Sequence, residues 1–172
     1  MARDRLLWTI ITGTAILGLV LLLVQDSSTE EPVNSIWSSS DEHTGLARHD
    51  HVTLKIFVEG EQKTIPGEIG INSGVCNQQG ENMHTVHTHN DQGTLHIELN
   101  EAGDVPLGVF FDIWGVHFDE TGIFDHRVNE THEMRMHVFA SGEVASEENR
   151  VTTFDAYLLQ NGETIEVYYQ AV

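Results

Sequence analysis

A chain of 172 residues with 27 Asp and Glu against 8 Lys and Arg carries a formal charge of −19. Such a surface repels phosphate backbones and anionic headgroups, which excludes nucleic acid as a partner; so dense a carboxylate coat is also what keeps proteins of salt-loving organisms hydrated, where salt screens its self-repulsion. The single cysteine, Cys76, excludes an internal disulfide and leaves a buried thiol, a metal ligand or a link between chains.

Residues 1–5 contain Arg3 and Arg5 and precede "LLWTIITGTAILGLVLLLV", an uncharged run from Leu6 to Val24. At 1.5 Å per residue this run is long enough to span a bilayer core as a helix. It lacks the short apolar core and small-residue cleavage site of a signal peptide, so we expect an uncleaved transmembrane anchor. Arginines before it and Asp26, Glu30 and Glu31 after it place residues 1–5 in the cytoplasm and everything after Val24 outside. Residues 25–49 open with Ser, Thr, Glu and Pro and read as a flexible tether. Residues 50–172 then form one extracytoplasmic domain of ordinary size. Asn129-Glu130-Thr131 fits the N-glycosylation pattern, which has meaning only outside the cytoplasm.

Within the domain, "HVTLKIFVEGEQKTI" alternates, with Val52, Leu54, Ile56 and Val58 on one face, and turns at "EGEQ" into a second strand. A Gly- and Asn-rich loop follows, with a short extended piece at 69–71. "MHTVHTHNDQGTLHIE" reads as a second hairpin. Leu107, Phe110, Phe111 and Trp114 recur at spacings of three and four, which predicts a short helix over 107–115, ended by Gly115. Its aromatic residues are expected in the core. After a loop, Met134, Met136 and Val138 share a strand face. Leu158-Leu159, the turn Asn161-Gly162 and a strand from Thr164 to Tyr169 suggest a closing hairpin.

This order predicts an α+β domain. It resembles the β-grasp layout, in which one helix crosses a mixed sheet and an acid-rich turn leads into the last strand. The alternative is a cupredoxin-like β-sandwich. The stretches "IPGEIGI", "HTHNDQGTLHIE" and "LGVFFDIWG" are also similar to those of a group of uncharacterised microbial proteins, membrane-anchored or secreted. That resemblance implies no activity, so function has to come from side chains.

The second hairpin supplies them. A four-residue turn at Asn90 to Gly93 sets His87 opposite His96, and strand alternation then gives His87, His89, His96 and Glu98 one face. A slip of one residue would remove His96 from that face. Three converging neutral imidazoles suit copper or zinc, with Glu98, Cys76, His84 or water completing the shell. The cupin pattern fails because eight residues separate His89 from Glu98 and His96 intervenes. His126, His132 and His137 lack ligand-like spacing and read as solvated. Asp41-Glu42-His43 and Arg48-His49-Asp50-His51, at the end of the tether, offer a loose surface metal binder but read the same way. The expectation is a membrane-anchored extracytoplasmic copper- or zinc-binding protein. The alternatives are a metalloenzyme with an open coordination position and a metal-free surface interaction module.

Overall fold

The computed structural model describes residues 46–71 and 83–172. The anchor from Leu6 to Val24, most of the tether, and Cys76 lie outside the described residues. The main element is a seven-stranded mixed sheet built on β1 (Arg48–Val58), with β2 (Glu61–Lys63) and β4 (Thr94–Leu99) along one edge of β1 and β10 (Glu163–Ala171) along the other. Outside β4 lies β3 (Val86–His87); outside β10 lie β8 (His132–Ala140) and β9 (Arg150–Val151).

β1 divides its pairing along its length. Its first half runs antiparallel to β4 from Arg48↔Leu99 to Thr53↔Thr94, and its second half pairs with β2 at Ile56↔Lys63 to Val58↔Glu61. Along the other edge, Thr53 to Val58 run parallel to Thr164 to Tyr169 of β10. Strand alternation buries Leu54, Ile56, Leu95, Ile97, Ile165, Val167 and Met136 on one common face.

The helix α1 (Leu107–Trp114) forms as the spacing predicts, and Gly115 ends it in the left-handed region at φ 75°. Phe110 and Phe111 are fully buried, with Phe111 stacked on Phe118 at 4.1 Å, while Trp114 is half-buried against the same cluster. A large mixed sheet with one short α-helix among the described residues makes this an α+β domain. Among the described residues the second sheet is only a small meander of two-residue strands, β5 (Phe118–Asp119), β6 (Gly122–Ile123) and β7 (His126–Arg127), in a stretch expected to be loop.

Two local expectations need correction. Asn161-Gly162 does turn the chain, but not between hairpin partners: Leu158 bridges to Pro106, and β10 pairs with β1 and β8. The turn docks instead on β1, where Asn161 Oδ1 accepts from the His51 amide at 3.0 Å and the Gly162 amide donates to the His51 carbonyl at 2.8 Å. The domain also starts earlier than residue 50. Arg48 and Asp50 occupy the positions that would continue the apolar alternation, and they are held by an ion pair of 2.6 Å. The Arg48 guanidinium also donates to the carbonyls of Gly103 and Leu159, which ties the start of β1 to two connecting segments.

Candidate metal centre

The turn after His89 sets the register of the histidine hairpin. Asn90 Oδ1 accepts from the Gln92 amide, and Gly93 sits at φ 77° with its carbonyl accepting from Leu54 at 2.8 Å. A Cβ at Gly93 would stand 2.4 Å from the Leu54 carbonyl oxygen, so only glycine lets the turn seat on β1. From this seat follow His87↔His96 and Val86↔Ile97, the register expected from the sequence, and His51↔His96 and His49↔Glu98 on the other side.

The outward face of β1, β4 and β3 therefore carries five histidines. His51, His96 and His87 lie in one row across three strands, flanked by His49 on β1 and His89 just past β3. Because the His51 backbone bonds to Asn161 and Gly162, its pairing with His96 is of the non-hydrogen-bonded kind, which brings side chains closest. Their rings meet edge-on at 4.6 Å. On the opposite side His89 meets His96 edge-on at 4.5 Å, and His87 stacks on it at 5.4 Å.

Two groups of three have donor atoms within 4.8 Å of one another: His87, His89 and His96, and His49, His51 and His96. Either set is close enough to hold a metal ion. A tetrahedral ion bonded at about 2.0–2.1 Å needs its donors roughly 3.3 Å apart, so the rings would have to draw closer to hold one, with a fourth position left for another ligand. His87 is fully buried, and its Nδ1 lies 2.8 Å from the His84 carbonyl oxygen. A carbonyl only accepts, so Nδ1 carries the hydrogen and Nε2 keeps the lone pair that a metal requires. Gly70 packs the preceding loop against this residue: a Cβ there would meet the Val86 carbonyl oxygen at 2.8 Å and His87 Cβ at 3.2 Å.

The central ring is held neutral. Burial lowers the His96 pKa from 6.5 to about 4, with the neighbouring His87, His89 and His51 acting in the same direction and Glu98 opposing them. Its nitrogen thus stays open to a cation well below the usual histidine range.

Of the expected extra ligands, Glu98 and His84 fall in neither group among the described residues, and Cys76 lies outside those residues. Glu98 is buried but belongs to neither group; its Oε1 lies 3.4 Å from His49 Nε2, where it can orient that ring. His84 also belongs to neither group and contributes its carbonyl. Cys76 falls between Ile71 and Met83, which pair as a bridge, but itself lies outside the described residues. His126 and His132 pack at 5.0 and 5.2 Å from the Tyr169 ring, and His137 Nδ1 lies 2.8 Å from the Ser146 carbonyl; none joins a group of donors among the described residues.

Sequence reasoning set His49 and His51 aside as solvated, apart from the hairpin histidines that they in fact join. The signal was present, since His49-Asp50-His51 repeats the two-residue spacing of His87-Thr88-His89. The charged residues at 48 and 50 masked the start of the strand. Comparison of the chain with protein-family profiles, with curated protein sequences and with solved structures finds no match in any of the three.

Proposed function

We propose that this protein binds a transition-metal ion, copper or zinc, on the histidine face of its sheet, outside the cytoplasm and tethered to a membrane. The observation that carries the metal reading is the convergence of His87, His89 and His96 on a central imidazole kept neutral, with His87 fixed in the tautomer that presents Nε2. The formal charge of −19 adds to it, because an acidic protein concentrates cations at its surface. The membrane and extracytoplasmic parts of the reading rest on the apolar run from Leu6 to Val24 and the arginines before it. The parallel pairing of the first and last strands beside one helix supports a β-grasp-like description of the domain.

Elemental analysis of the protein purified without a histidine tag tests the proposal. A stoichiometric transition metal, lost on chelation and regained on addition of copper or zinc, is the expected result. No uptake of either ion would leave the metal-free interaction module as the better reading. Retention of the chain in the membrane pellet after carbonate washing tests the anchor, and a soluble form beginning near Gln25 would refute it.

A further inference from the structure

The five histidines offer two triads joined through one residue. His49 and His51 approach His96 from β1, while His87 and His89 approach it from the β3 side, because β4 lies between the two strands. We propose that His49, His51 and His96 form a second, solvent-facing position for the same ion, occupied in alternation with the His87, His89 and His96 position. This inference rests on the metal-binding reading above.

Alternation follows from the chemistry of the shared ring. A neutral imidazole has one nitrogen lone pair to give; serving two ions at once requires loss of its remaining proton. Two dications on one ring would also stand a few ångströms apart among neutral ligands, and their repulsion would be poorly offset. A single ion avoids both costs.

The two positions differ in access. The His49 side chain is 44% exposed and His51 is exposed too, whereas the other position joins exposed His89 to His87, which is fully buried with its ring fixed through the His84 carbonyl. Glu98, 3.4 Å from His49 Nε2, orients the outer ring. An ion can exchange His49 and His51 for His87 and His89 while His96 holds it, so it passes between an open and a sheltered position without becoming free. No electron moves and no covalent bond of the protein breaks in this exchange. The open position is where an acceptor carrying its own imidazole or thiolate ligands would take the ion.

The test uses Cu(II) as the probe on the full-length chain without a histidine tag, read by stoichiometry and by electron paramagnetic resonance. The parent should bind one ion per chain and give two overlapping signals. His49→Ala combined with His51→Ala should still bind one ion but lose one signal, and His89→Ala should bind one ion and lose the other. All three positions are exposed, so these variants are expected to fold. His96→Ala should lose both signals. A parent signal unaltered by the His49 and His51 changes, with copper still bound, overturns the second position and leaves the metal-binding reading standing. A second equivalent that binds the parent with a spin-coupled spectrum overturns alternation in favour of a bridged pair. A parent that binds no copper, and no zinc by elemental analysis, removes the metal-binding reading itself.

Discussion

The outward face of the sheet has two halves, joined by β1. Across β1, β10 and β8, neighbouring side chains are complementary: Lys55 pairs with Glu166 at 2.9 Å and Phe57 stacks on Tyr168 at 4.8 Å between strands, and along β8 Arg135 reaches Glu133 at 2.5 Å. Across β1, β4 and β3, like faces like, with His51, His96 and His87 in one row. Complementary pairs stabilise a sheet by themselves, whereas a row of identical basic rings is tolerated while neutral and becomes repulsive once charged. The first half is built to be complete with its own residues. The second gathers histidines close enough together to hold a cation.

The largest difference between the halves should appear on removing the central residue of each. His96→Ala takes a ligand from both triads and should abolish stoichiometric copper or zinc binding, read by equilibrium dialysis; Glu166→Gln on the other half should leave it intact. Binding by His96→Ala at the parent's affinity would mean that the hairpin register is wrong.

Phe111→Ala acts on the core beneath the sheet. Deleting a fully buried ring should cost about 3–5 kcal/mol in urea unfolding. Unchanged stability would place this aromatic cluster outside the core and break the premise that one core supports both halves.

Acid should single out the histidine half. His96 keeps a pKa of about 4 in the folded protein against 6.5 as its ordinary value. Between those values the unfolded chain takes up a proton that the folded chain refuses, so stability present above pH 6.5 is lost as pH falls toward 4, with no further loss from this residue below that. After allowance for solvent screening the effect should be roughly 1–2 kcal/mol in the metal-free protein, measured as a shift in urea midpoint between pH 7 and pH 4.5. His96→Gln should remove this part of the pH dependence; a midpoint shift of the same size in that variant would assign it elsewhere.

The smallest effects belong to the complementary half and its margin. Glu166→Gln should cost less than about 1 kcal/mol, because its partner Lys55 is partly exposed. His132→Ala, which loses side-chain contacts with Glu59, Thr131 and Tyr169, should leave metal uptake unchanged.

Much of the site could be read before folding because its signals are local. Asn90 to Gly93 specifies a turn of known length, and strand alternation then sends His87, His89 and His96 to one side. α1 was legible for the same reason: its aromatic spacing and terminal glycine lie within nine residues, 107–115. The contribution of β1 was not. His49 and His51 join the face only because β1 pairs with a strand more than forty residues away, and the residues that start β1 are an Arg–Asp pair instead of apolar ones. Glu98 shows the same limit, since alternation assigns its face correctly but cannot tell that His49 is the residue it meets.

The sequence by itself determined the acidic surface, the helix, the hairpin turn and the alternation that gathers three histidines, because each depends on residues a few positions apart. Tertiary structure decided that β1 lies beside β4 in a register matching His51 to His96, that the Asn161-Gly162 turn serves β1, and that two triads share one ring. Those outcomes depend on long-range strand pairing, and long-range pairing is chosen by which arrangement buries Val52, Leu54, Leu95 and Ile97 together on the other face of the sheet. The histidines are brought together by the packing of their apolar neighbours, which no local pattern of polar residues reports.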